Sequence, residues 1–213
     1  MPQSILPVKT PPARKAAAVL LALVAFAMVA GGAGLALYPF YTDWRAGRQQ
    51  KTLATQLDTP QSREVYLARK VEDGKPLTRI IIPRLSVDSI VVEGISLEAL
   101  AAGAGHYQVT PLPGEVGNVG IAGHRTMNGK PFANIDNLKA GDTIVLVTPF
   151  ARHTYEVVPT FDGHANPWVT KPDDWRVIEP TTDPMLTLTT CHPRGSSKQR
   201  LVVRAKLVST QPV

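Results

Sequence analysis

The sequence predicts an all-β domain, a sandwich or barrel, set behind a single apolar helix. Three observations predict it. Residues 16–37 are apolar and carry no charge. From residue 77 onward the chain breaks into about seven short runs rich in β-branched residues. Gly, Pro, Asn and Asp punctuate those runs, and only short stretches between them suit a helix.

The apolar stretch of 22 residues has the length a helix needs to cross a bilayer core, about 20 residues. A secretory signal has a shorter apolar region, about 7 to 15 residues, ending in small residues. Residues 16–38 therefore read as an uncleaved transmembrane anchor. Ala30-Gly31-Gly32-Ala33-Gly34 is where a peptidase would cut under the other reading. Lys9, Arg14 and Lys15 precede the span, and Arg45, Arg48 and Lys51 follow it with Asp43 nearby, so the positive-inside count is close to a tie. The Pro-rich, basic tail of residues 1–15 is short and featureless, which places it in the cytoplasm and the bulk of the chain outside. Residues 39–76 are polar, with part of 62–70 suited to a helix. They read as an extracytoplasmic stalk, or alternatively as an N-terminal helix packed on the domain.

The domain itself spans residues 77–213, enough for a core of its own. Its expected strands are residues 78–82, 89–93, 118–122, 142–148, 153–158, 185–190 and 200–207, with short helices at 97–100, capped by Ser96, and at 132–138. Residues 160–184 hold Trp168, Trp175 and four prolines, and are long enough to be a functional lid. The formal charge is +6, but beyond residue 40 there are 20 basic against 17 acidic groups. That is an ordinary surface, and it argues against nucleic-acid binding, which needs a clustered basic face.

One cysteine is present, so no disulfide forms within the chain. Cys191 ends the run Thr187-Leu188-Thr189-Thr190-Cys191, where a strand gives way to the turn His192-Pro193-Arg194-Gly195-Ser196-Ser197, and Arg200 opens the next strand. The hairpin puts a thiol at one rim and a guanidinium on the facing strand. A thiolate nucleophile needs a proton partner. Of the five histidines, His192 is the immediate neighbour and points to the other face of an extended strand. His153 lies among polar neighbours and His164 in the long loop, which leaves His124, behind the small residues Gly120-Ile121-Ala122-Gly123, as the better candidate. Arg200 suits an oxyanion, with Arg194 and Arg204 as alternatives; Arg204 lies about 13 Å further along the strand at 3.3 Å per residue. Thr190 is a possible donor to substrate or oxyanion, or simply a β-former at a strand end.

Taken together, these residues resemble a sortase, a cysteine transpeptidase of Gram-positive surfaces. Thr187-Leu188-Thr189-Thr190-Cys191 matches that family's TLxTC signature, Ala122-Gly123-His124 the segment of its catalytic histidine, and Arg200-Leu201-Val202-Val203 the strand opening with its catalytic arginine. Gly105-His106-Tyr107, Pro113-Gly114-Glu115-Val116-Gly117-Asn118, Ala122-Gly123-His124-Arg125-Thr126 and Cys191-His192-Pro193-Arg194 are similar to class E sortases of actinobacteria. The resemblance implies a closed eight-stranded β-barrel, catalysis by Cys191, His124 and Arg200, and a role for Tyr107 in substrate choice. It further implies a surface-protein substrate with a C-terminal LAXTG or LPXTG sorting signal and an amine of a peptidoglycan precursor as acceptor. The alternatives are a pilin-joining sortase and a non-catalytic anchored β-domain that binds a wall component. No cofactor is expected, and with no acidic cluster beside the long loop, no metal.

Overall fold

A computed structural model describes residues 12–213, so the expected tail lies outside the described residues up to residue 11. The helices are α1 (Pro12–Leu57), α2 (Pro60–Leu67) and α3 (Leu97–Ala102). The strands are β1 (Pro76–Ile82), β2 (Val87–Glu93), β3 (Ala104–His106), β4 (Asn118–Ala122), β5 (Thr143–Val147), β6 (Ala151–Val157), β7 (Thr160–Phe161), β8 (His164–Ala165), β9 (Trp168–Thr170), β10 (Met185–His192) and β11 (Gln199–Pro212).

Period-two alternation decides where the core lies. Val119 and Ile121 of β4, Leu186 and Leu188 of β10, and Leu201, Val203 and Ala205 of β11 all turn inward and are buried together with Ile80, Ile144 and Tyr155. The strands run β10-β4-β3-β2-β1-β5-β6-β11, and β11 pairs back with β10, which closes an eight-stranded barrel. Closure leaves none of these eight strands as a free long edge. The β10–β4 and β2–β3 pairs are parallel and the others antiparallel. β3 is the strand that the sequence pattern does not reveal: three residues with a central glycine carry no alternation to read.

The expected strands reappear within a few residues of their predicted bounds. Ser96 caps α3, its hydroxyl accepting from the Ala99 amide at 3.0 Å. The helix expected at 132–138 shrinks to one 3-10 turn, Ile135–Asn137. The stretch expected as a lid holds β7, β8, β9 and a 3-10 turn at Trp175–Ile178. It is pinned to the barrel through Asn166, whose side chain brackets the Arg204 peptide, donating to its carbonyl at 2.6 Å and accepting from its amide at 3.1 Å.

The chain forms two compact units, the first ending at Phe40 and the second comprising Tyr41–Val213. In the first, the helical side chains from Val19 to Phe40 are exposed and almost all apolar, which suits lipid rather than water as their surroundings. Among the described residues this is the one helix long and apolar enough to cross a membrane. In the second, the tail of α1 packs on the barrel, so the stalk reading gives way to the packed-helix alternative. Leu53 and Leu57 are buried against Ile90, Val92, Ala99 and Ala102. The Gln50 amide replaces a missing strand neighbour: its oxygen accepts from the Ile90 amide at 2.6 Å, and its nitrogen donates to the carbonyls of Ile90 at 3.1 Å and Ala102 at 2.8 Å. Scattered glutamines and single leucines among charges give no clear stripe, which hid this packing from the sequence.

Gly123 shows how tightly the His124 segment is seated. A Cβ there would lie 2.5 Å from the ring of Phe132, which is fully buried. Gly123→Ala is expected to destabilise the domain by about 1–3 kcal/mol through overpacking. The check is a lower urea midpoint at unchanged slope.

Candidate active site

Two paired strands bring Cys191 and Arg200 to one rim of the barrel, and His124 lies two residues beyond the end of β4, the strand on the other side of β10. In the antiparallel β10–β11 pair Cys191 stands directly opposite Arg200. Opposed residues share a face, with Cβ atoms about 4.5–5.5 Å apart. In the parallel β10–β4 pair Thr189 stands beside Ala122, and the Gly123 amide donates to the Thr189 carbonyl at 3.0 Å. Two residues further along both chains come Cys191 and His124, the latter beyond the end of β4 and outside the paired register. Because Leu186, Leu188, Leu201 and Val203 face the core, the opposite parity puts Cys191 and Arg200 on the outer surface.

Beside Cys191 on that face lie Ala122, half-buried, and Gly120, Thr187 and Thr189 of β4 and β10, which are buried. Tyr107 stands against them, half-buried, its hydroxyl 3.0 Å from the Thr189 hydroxyl. Ile178 of the lid closes in from above: a Cβ at Gly120 would stand 2.9 Å from the Tyr107 ring and 3.0 Å from Ile178. β9 lines the far side, with Thr170 paired to Arg200.

The histidines sort by what their rings already hold. His106 is buried, its Nδ1 3.0 Å from Glu93 and its Nε2 3.0 Å from both the Pro111 carbonyl and the Thr110 hydroxyl. His153 is buried, not surface-exposed as its polar neighbours suggest: its Nδ1 is 3.1 Å from the Thr210 hydroxyl, and Gly114 packs so close that a Cβ there would lie 2.2 Å from the ring. His164 is exposed and stacks on Trp168. His192 accepts from Arg125. Among the described residues the His124 ring makes no hydrogen bond, sits half-buried, and has its pKa lowered by that burial.

The arginines separate equally well. Arg204 is fully buried, its guanidinium 3.7 Å from the centroid of Phe161 and donating to the Val177 carbonyl at 3.1 Å. Burial pulls its pKa down to about 10. It anchors the lid and lies away from the thiol. Arg194 donates to Asn134 at 2.8 Å. Arg200 is the one in register with Cys191; one of its nitrogens donates to the carbonyls of Ser197 and Gln199, both at 3.1 Å. Its other donors make no bond among the described residues.

Thr190 requires a correction. It has Leu188's parity, is 3% exposed, and donates to the Gly123 carbonyl at 2.7 Å. It thus ties the His124 segment to β10 from the inner side and does not share the outer face with Cys191. A residue that sequence reasoning did not single out is Arg125, which is 4% exposed and bonded to the Cys191 and His192 end of β10. Its only signal was its place directly after His124.

The closed eight-stranded barrel, with Cys191 opposite Arg200 across its closing hairpin, points to a sortase domain. The sortase-domain family model matches residues 80–208, and the chain belongs to that family. It is 31% identical to sortase SrtE1 of Streptomyces coelicolor over 81% of this chain and 52% of that protein. It is 33% identical to SrtE2 of the same organism over 62% of this chain and 56% of that protein. The chain thus spans about half the length of these two curated relatives. Among solved structures, sortase E from Streptomyces avermitilis is similar at 39% identity and a TM-score of 0.59, over 67% of this chain and 93% of that one. Sortase E1 from Streptomyces coelicolor, solved with a tripeptide in its active site, is similar at 32% identity and a TM-score of 0.59, over 67% of this chain and 93% of that one. The class E resemblance drawn from the motifs is borne out by these relatives.

Proposed function

We propose that this chain is a membrane-anchored cysteine transpeptidase that cleaves a C-terminal LAXTG or LPXTG sorting signal between Thr and Gly. It passes the acyl group to an amine of a cell-wall precursor. The observation that carries the reading is the register that sets Cys191 opposite Arg200 on β10 and β11, with His124 two residues past the end of β4, the strand paired to the other side of β10. The Cys191 thiolate adds to the threonine carbonyl carbon, and the oxygen takes the negative charge beside the Arg200 guanidinium. Collapse breaks the C–N bond as His124, entering as imidazolium, gives its proton to the departing glycine nitrogen. A thioester remains on Cys191. An incoming amine attacks it, His124 takes a proton from that amine, and the thiolate leaves. Tyr107, beside Thr189, meets the signal's second residue and biases the choice between LAXTG and LPXTG.

The apolar part of α1 holds the enzyme in the membrane with residues 1–15 in the cytoplasm and the barrel on the extracellular side, where surface proteins and the lipid-linked precursor meet it. The tripeptide seated in the active site of the Streptomyces coelicolor relative supports a peptide bound at the corresponding face.

Incubating the protein with LAXTG and LPXTG peptides and an amine tests the reading by mass spectrometry. The expected products are an acyl adduct mapped to Cys191 and a peptide joined to the amine. Absence of both, with the barrel folded, would refute the activity. The pH profile is a further check. Burial lowers the His124 pKa, so its imidazolium persists only to a lower pH than a free imidazole's. A thiol ordinarily titrates above an imidazole, so the thiolate–imidazolium pair is the minor form and the imidazole's titration marks the acid limb of kcat/KM, expected below the ordinary histidine value of about 6.5. The same shift acts on stability with the opposite partner: the unfolded chain binds more protons here, so this group's contribution weakens as pH falls through about 6.5.

A further inference from the structure

We propose that Arg125 is a positioning residue for the nucleophile, fixing the end of β10 and placing positive charge behind the thiol. The inference rests on the cysteine reading above. Arg125 follows His124 in the bend after β4, where it is buried while His124 is half-buried. Its guanidinium is 4% exposed and joins three segments. One terminal nitrogen donates to the Cys191 carbonyl at 3.4 Å and to His192 Nδ1 at 2.9 Å. The other donates to Asp136 at 2.9 Å, and Nε reaches the Ala133 carbonyl at 3.5 Å.

Two consequences follow from chemistry alone. Arginine has donors and no acceptor, so His192 Nδ1 must be the accepting nitrogen and its ring N–H is on Nε2. His192 is thereby committed as a fixed wall of the rim and withdrawn from competition with His124 for the thiol's proton. Second, the charge behind the carbonyl of Cys191 is positive. Asp136 offsets it only in part, being 38% exposed and also paired with Arg194 at 3.7 Å. The groups that face Cys191 are then His124 from the β4 side, Arg200 from β11, His192 at its own strand end, and Arg125 with Asp136 and Arg194 behind. A guanidinium held in a dry site favours the thiolate more than a solvated one does. Because the guanidinium clasps the carbonyl of the nucleophile and the segment of its proton partner at once, it also sets their separation.

The test is the pH dependence of iodoacetamide alkylation of Cys191 in the full chain in detergent, which needs no peptide substrate. Arg125→Gln is expected to move the alkylation midpoint up by about one pH unit, and to lower kcat about tenfold with KM little changed. Arg125→Lys is expected to restore the midpoint but not kcat, since the ammonium keeps the charge and loses the fork. Asp136→Asn is expected to move the midpoint down, because it leaves the guanidinium without its counter-charge. Should Arg125→Gln fail to fold, Asp136→Asn decides: an unchanged midpoint overturns the proposal. Unchanged midpoints in folded Arg125→Gln also overturn it and leave the arginine a structural tie. Alkylation reads the thiolate whether or not sorting peptides are turned over, so these outcomes are distinct from a failure of the transpeptidase reading.

Discussion

Transfer of a sorting peptide to an amine is expected to vanish in Cys191→Ala and to fall by about 10²–10⁴-fold in His124→Ala. The difference in size follows from the roles. In the proposed reaction the sulfur carries the acyl group between two substrates, and the sequence holds no second thiol to replace it. The imidazole moves a proton, which water does less well, so some chemistry survives its loss. Single-turnover formation of the thioester separates the two: none in Cys191→Ala, slow formation in His124→Ala. Combining the substitutions is expected to cost no more than Cys191→Ala alone, since the two act as one unit. Neither change should unfold the barrel. Both side chains are half-buried, and neither belongs to the buried cluster of Leu186, Leu188, Val119 and Ile121.

Arg200→Ala is expected to lower kcat by about 10²–10³-fold, the usual loss when an oxyanion donor is removed. The expectation follows from the proposed role and from its register opposite Cys191. Its present bonds run to the turn carbonyls of Ser197 and Gln199, so freeing those carbonyls to water should change stability by no more than about 0.5 kcal/mol. Activity and stability thus part company in this variant, which a melting curve alongside the kinetics would show. Arg200→Lys should recover only part of the rate, because an ammonium lacks the planar fork. A near-wild-type rate in Arg200→Ala would remove the oxyanion role from β11 altogether.

Much of this site was legible before folding. Cys191 was conspicuous as the one thiol at the end of a β-branched run, and Arg200 as the opening of the next run in the same hairpin. A hairpin is local, and register across it follows from the turn between its strands. His124 was harder: its partnership with Cys191 spans 67 positions and depends on a parallel pairing of β4 with β10 that no local pattern encodes. It emerged by elimination and by the likeness of its segment to known sortases. Thr190 was misjudged because parity relative to the core is unknown until the core is known. One residue's difference in phase sends a side chain to the opposite face, and Thr190 went inward to Gly123.

What the amino-acid order settled unaided was whatever depends on near neighbours: the apolar helix, most of the strands, the cap at Ser96, and the thiol–guanidinium hairpin. What awaited the folded chain was every contact between distant segments. Closure through β10 and β11, Gln50 standing in for a strand beside Ile90, and Arg125 reaching from the bend after β4 to Cys191 all belong to this second kind. The physical reason is that side-chain period and turn chemistry act over a few residues. Which surfaces meet is decided by burying all the apolar faces at once, and that balance exists only in three dimensions.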